Sequence, residues 1–303
     1  MSSIPSDSSV TPPNTTSPSD GSVEYIRIGD LPQSFLDKVM YEFTPYSIGL
    51  ARVRDEMLEN FTPIGSGALV KRGGKYGILT ARHCTHACYP QLSIGSHGRD
   101  TLYICLRNGR TATLAPNILF ESSTTTPECD EYGPDLTFIE ILPSEQLQSL
   151  LAISSAWNMD GPSKEMLDEY SSDGVMICAL GYPEELCRTQ IQVEKHNVHR
   201  VAKHMTYINV LEEGDRSERN GWDYIDIKMA YEEPGRLPDS FQGMSGGPVW
   251  ALKARRDKAT GEIMIVKSCL VGVVFYQSAL VDNVRHLRAH FARSVYINMW
   301  QQG

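Results

Sequence analysis

Three short segments carry side chains that could do covalent chemistry together. The apolar run Ile78-Leu-Thr-Ala-Arg-His83-Cys84 ends in a histidine. Gly133-Pro-Asp135-Leu-Thr-Phe-Ile-Glu-Ile141 sets an aspartate at the mouth of a second apolar run. Asp239-Ser-Phe-Gln-Gly-Met-Ser245-Gly-Gly-Pro-Val249 holds a serine in a glycine-rich turn ahead of a third. These are the ingredients of acyl transfer. A serine hydroxyl is a poor nucleophile until a neutral imidazole takes its proton. The imidazole needs a carboxylate to fix its tautomer and to stabilise the imidazolium. The developing oxyanion needs backbone N–H donors aimed at one point, and a Gly-x-Ser-Gly turn can present them without Cβ clashes. Ser245 is therefore the expected nucleophile, His83 the base and Asp135 its orienting group, with the amides of Gly243 and Ser245 as oxyanion donors. Asp100 and Asp130 compete with Asp135, which is preferred for the apolar strand directly after it. Ser66, also flanked by glycines, reads as a packing residue beside a hairpin strand.

Such groups belong where strands run into loops on a rigid scaffold. From about residue 64 the chain consists of short apolar runs split by Gly, Pro and Asp. GALVKRGGKYGILTA predicts a hairpin around Arg72-Gly-Gly-Lys75, and LYICLRNG, TATLAPNILF, LTFIEIL, GVMICALGY, YIDIKMA, GPVWALKA and IMIVKSCLVGVVFY continue the series. Many short strands with regular turn signals imply an all-β barrel or sandwich rather than alternating β/α units. Phe35, Val39 and Phe43 sit at four-residue spacing and predict an amphipathic helix within 31–43. Residues 144–172 are polar and Ser-rich, a connector between two halves with room for a short helix. Val284, Leu287, Phe291 and Val295 fit a C-terminal helix over 279–300. Residues 1–22, rich in Ser, Thr and Pro, predict a disordered tail. The expected division is the tail, then 23–150 with an N-terminal extension and the first half, then 151–303 with the linker, second half and C-terminal helix.

The order His83…Asp135…Ser245 resembles that of the trypsin/chymotrypsin-like serine peptidases, across roughly residues 45–300. LTARHC is similar to that family's histidine motif, GPDLTFIEI to its aspartate segment and QGMSGGPVW to its nucleophile motif. GSGALV at 65–70 resembles the strand before the histidine, and LVGVVFY at 270–276 the strand lining the cleft. The resemblance implies two six-stranded antiparallel β-barrels, about 45–145 and 174–278, with the cleft between them. It implies a serine endopeptidase acting on protein or peptide substrates through an acyl-enzyme, without cofactor, the alternative being a catalytically silent peptidase fold used as a binding module. Val274, Phe275, Tyr276 and Gln277 would pair with the extended substrate. Asp239, six residues before the serine, would sit at the base of the primary pocket and select Arg or Lys. There are departures. The strand before the histidine has no Cys to bridge to Cys84, and Phe241 stands where relatives carry a cysteine. Met244 cannot form the ion pair that an Asp before the serine makes after N-terminal cleavage. The pattern resembles intracellular or bacterial-type members, and an activating partner could take the place of cleavage.

Composition limits the alternatives. The chain has 303 residues with 28 Lys+Arg against 37 Asp+Glu, a formal net charge of -9. That balance opposes broad nucleic-acid binding, which needs clustered cations. No window approaches a membrane span. The seven cysteines are odd in number and irregularly spaced, and the N-terminal stretch lacks the basic and apolar regions of a signal peptide. A reduced, cytoplasmic setting is expected, with the sequons at Asn14 and Asn60 unused. Cys84, His86 and Cys88, or His196, His199 and His204, fall short of a four-ligand zinc pattern, so no metal is expected.

Overall fold

The computed structural model describes residues 31–53, 61–86, 101–106, 110–124, 134–171, 175–192, 197–202, 204–212, 214–231, 237–257 and 259–301. The expectations for residues 1–22, Asn60, Cys88, Asp100, Cys129, Asp130 and His196, and for the His86, Cys187 and His199 side chains, lie outside them.

The apolar runs form a mostly β structure of two antiparallel sheets. The first holds β1 (Ser47–Val53), β2 (Phe61–Arg72), β3 (Lys75–Thr80), β4 (Thr101–Cys105), β5 (Thr111–Leu114), β6 (Leu119–Thr124) and β7 (Thr137–Ile141). Their order is β5-β4-β1-β2-β3-β7-β6, and β8 (Trp157–Asn158) adds to β2 in parallel. The second holds β9 (Met176–Gly181), β12 (Met205–Val210), β13 (Arg216–Arg219), β14 (Trp222–Ala230), β15 (Pro248–Arg256), β16 (Ile263–Gln277) and β17 (Val284–His290). Its order is β12-β9-β15-β16-β17-β14-β13, while β10 (Cys187–Gln192) and β11 (Asn197–Ala202) pair separately. Among the described residues the sheets thus have eight and seven strands, not six each.

Alternation along the strands builds two cores. Leu69, Ile78 and Ile139 point into one with Ile48, Leu102, Leu114 and Leu150. Their neighbours Ala68, Leu79 and Phe138 point the other way, into a core shared with Trp250, Leu270 and Val273 of the second sheet. The side-chain period of two makes the middle of the first sheet apolar on both faces. Helix α1 (Gln33–Phe43) buries Phe35, Val39 and Phe43, as the spacing predicts, and sets Phe43 4.7 Å from the Trp250 ring. Fully burying such a side chain stabilises the fold by roughly 1.5–3 kcal/mol. The short helix α2 (Arg82–His86) follows β3.

The connector holds α3 (Glu145–Leu151) and α4 (Lys164–Tyr170), whose N-termini are capped by Ser144 and Ser163 hydroxyls accepting from Leu147 and Met166. The expected C-terminal helix is largely a strand. Residues 284–290 are β17, paired with β14 on one side and β16 on the other, and helix is confined to the short α5 (Ala292–Tyr296) and a 3-10 turn at Asn298–Trp300. Leu287, Ala289 and Phe291 fit a period of two as well as the expected residues fit a helix, and two open sheet edges decide between the readings. Among the described residues no helix is long and apolar enough to cross a membrane. Among the described residues Cys84, Cys178 and Cys269 are free thiols.

Candidate active site

Adjacent antiparallel strands bring the histidine to the aspartate. β3 pairs with β7 so that Thr80, at the end of one, faces Thr137, at the start of the other. The residue two before Thr137 and the first turn of α2 therefore share one end of the sheet. The His83 N–H donates to Asp135 Oδ1 at 2.9 Å, and ring Nδ1–H donates to Oδ2. Two bonds to one carboxylate fix both the ring's orientation and its tautomer, so that in the neutral ring Nε2 is the nitrogen that carries the lone pair. Burial alone would raise the Asp135 pKa, but the bonds and charge of His83 outweigh it and hold the carboxyl below its ordinary range. Burial would likewise lower His83, but its bond to Asp135, with the Cys84 sulfur beside the ring, outweighs that and the net shift is upward.

Behind the aspartate stands a residue that the sequence did not single out. The Asp135 N–H donates to Nε2 of His290 at 2.9 Å. His290 is fully buried, stacked on Phe275 with ring centroids 4.5 Å apart and flanked by Tyr224 and Trp222. Accepting at Nε2 requires a neutral ring with its proton on Nδ1. Burial enforces this, pushing the pKa down to about 3 against the pull of the Asp135 charge.

The serine turn is tied down on every side. Gln242 C=O accepts from Glu184 N–H at 2.7 Å, and Met244 C=O accepts from Gly247 N–H at 2.8 Å. In a trans peptide the N–H points opposite to its C=O, so the amides of Gly243 and Ser245 are turned toward the other side of the loop. Among the described residues neither N–H has an acceptor. Gly243 adopts φ +92°, and a Cβ there would lie 2.5 Å from Tyr182 O. Gly246, at φ +85°, would drive a Cβ into Ser66 O and Thr80 Oγ1. Only glycine serves at either position.

Ser66 does more than pack. Its hydroxyl donates to Gly243 O at 2.6 Å and accepts from Tyr182 N–H at 2.9 Å, while its N–H donates to Ser245 O at 2.7 Å. One buried serine of the first sheet thus braces the serine turn of the second.

Histidine and serine meet around Cys84. Its Sγ lies 3.7 Å from His83 Nε2 and donates to Ser245 O at 3.4 Å. Ser245 is half-buried, and among the described residues its Oγ makes no hydrogen bond, to His83 or otherwise. A Cβ at Gly65 would lie 2.5 Å from Cys84 Sγ, so this glycine stands where a partner cysteine would have to be.

The expected substrate residues divide. Asp239 is exposed, not at the base of a dry pocket: the chain turns it outward beside buried Pro238. Val274 cannot pair with substrate, because its N–H donates to Gly247 O at 2.9 Å and its C=O accepts from Gly246 N–H at 2.6 Å. Phe275 is buried on His290. Tyr276 and Gln277 are half-buried beyond the serine turn, and Gln277 Oε1 accepts from Phe241 N–H at 2.8 Å. Phe241 and Met244 are both core residues. No group of His, Cys, Asp or Glu that could hold a metal occurs among the described residues.

Comparison with known protein families finds no match. Comparison with curated proteins finds none either.

Proposed function

We propose that the chain is a serine endopeptidase of chymotrypsin-like architecture, its two sheets corresponding to that architecture's two barrels. The observation that carries this reading is the Asp135–His83 pair beside a turn whose two peptide carbonyls are both tied back. In the proposed reaction Ser245 Oγ attacks the scissile carbonyl carbon and passes its proton to His83 Nε2. The Gly243 and Ser245 amides receive the oxyanion. The C–N bond then breaks, His83 returns the proton to the leaving amine, and the acyl group stays on Oγ. Water repeats the sequence with His83 as base, releasing the acid and restoring the serine. Asp135 stays ionised throughout and stabilises the imidazolium. No cofactor enters. The free thiols, and a glycine opposite Cys84, support a reducing compartment such as the cytoplasm.

The deciding experiment is labelling by a side-chain-free fluorophosphonate. The native chain should be labelled at Ser245, and Ser245→Ala or His83→Ala should abolish the signal without unfolding the protein. Full labelling of Ser245→Ala would sink the assignment. A second reading, a peptidase held latent until a partner engages it, is favoured by the unbonded Ser245 Oγ. Labelling that requires an added partner protein would select it.

A further inference from the structure

The serine turn and the end of β16 are pinned together at Gly246–Val274 and then part. One runs back through Gly243, Gln242, Phe241 and Ser240, the other forward through Phe275, Tyr276 and Gln277. The Gln277 side chain spans the gap. Its Oε1 accepts from Phe241 N–H at 2.8 Å, and its Nε2 donates to Ser240 Oγ at 3.3 Å. Behind this amide stands Arg285 of β17, whose Nη1 donates to the same Oε1 at 3.0 Å. Among the described residues Gln277 is its hydrogen-bond partner, and Arg285 Nε is buried with no acceptor.

A guanidinium carries five N–H donors and cannot shed its charge. Held half-buried against a neutral amide, it lacks the counter-charge that a carboxylate would supply through two parallel bonds. Ser240 Oγ accepts from Gln277 and, at 3.1 Å, from Gln242 N–H, so its own proton is free to donate into the gap. Two acids lie nearby. Glu185 Oε2 is engaged by Ser240 N–H at 3.2 Å, and Asp239 is exposed, where water screens it.

We propose that the gap between Ser240–Gly243 and Tyr276–Gln277 is the primary side-chain subsite, floored by Gln277 and Arg285, and that it takes Asp or Glu directly before the scissile bond. The proposal rests on the peptidase reading. An entering carboxylate accepts from Arg285 and the Ser240 hydroxyl, taking the place of Gln277 Oε1 on the guanidinium. Lysine or arginine meets a like charge.

The test uses the intact chain and diaryl phosphonate probes differing in one side chain: glutamate, glutamine, lysine or phenylalanine. Each labelling rate at Ser245 is divided by the rate for the side-chain-free fluorophosphonate on the same protein. The glutamate probe should react at least about tenfold faster than its glutamine isostere, the scale of one charged hydrogen bond. Arg285→Gln should bring that ratio to about one, and Arg285→Lys should keep much of it. The native ratio stands on its own if a variant misfolds. A native ratio near one, a preference for lysine or phenylalanine, or a ratio unchanged in Arg285→Gln overturns the subsite while leaving the peptidase reading intact. Absence of fluorophosphonate labelling overturns both.

Discussion

Replacing His290 with glutamine isolates the response to acid of the wall behind Asp135. Glutamine keeps an acceptor for the Asp135 N–H but has no proton to bind. The native ring is held neutral, its pKa pushed from an ordinary value near 6.5 to about 3. Below pH 6.5 the unfolded chain therefore takes up a proton that the folded chain refuses. The stability contributed by the neutral ring is present above 6.5 and is lost as pH falls toward 3. Each pH unit in that window costs about 1.4 kcal/mol, so the loss by pH 4.5 is roughly 3 kcal/mol. The window is clear of the pair in front. Asp135 lies below its ordinary value, so its contribution is lost only as pH falls through that lower value. His83 is raised, so its contribution is complete below 6.5 and is lost only as pH rises through its folded value. Urea unfolding followed by tryptophan fluorescence, near neutrality and near pH 4.5, reads the difference. The native chain should lose roughly 3 kcal/mol more than His290→Gln between the two conditions. Parallel losses would refute the buried neutral ring.

Three further outcomes are expected. Asp135→Asn should slow fluorophosphonate labelling by about four orders of magnitude, because His83 loses its tautomer control; a loss under tenfold would remove Asp135 from the site. Gly243→Ala, at φ +92° and 2.5 Å from Tyr182 O, should slow it by roughly a hundredfold by twisting one oxyanion donor away. Native-like rates in that variant would place the donors elsewhere. Dithiothreitol should leave Tm unchanged, since Cys84, Cys178 and Cys269 are free, whereas a drop of several degrees would mark a disulfide contributing roughly 2–4 kcal/mol.

Local pattern carried much of this. The meeting of His83 with Asp135 was legible because each stands where an apolar run meets a turn, and α1 because Phe35, Val39 and Phe43 repeat every four residues. What was not legible depends on distant neighbours. β17 satisfies two periods at once, and only the flanking β14 and β16 choose between them. Asp239 matches a specificity position over six residues, yet the loop around buried Pro238 faces it to water. Ser66 and His290 look ordinary in sequence because their partners, Gly243 and Asp135, lie 177 and 155 residues away. A glycine on either side of Ser66 was the one available hint, and a histidine within a strand of the second sheet offered none.

Those long reaches make the serine turn a late product of chain assembly. Its fastenings come from β2, from the segment after β9 and from β16, and the brace on Asp135 is the last residue of β17. Closing loops of such length is entropically costly before the contacts reward it, so the turn is expected to set only after both sheets exist and have docked. A nascent chain still short of residue 290 holds Ser245 and His83 but lacks the brace behind Asp135. If the proposed peptidase reading holds, partly folded copies would then be poor cutters of one another. In a refolding experiment labelling should lag behind the recovery of sheet signal, and self-digestion should be confined to chains already finished.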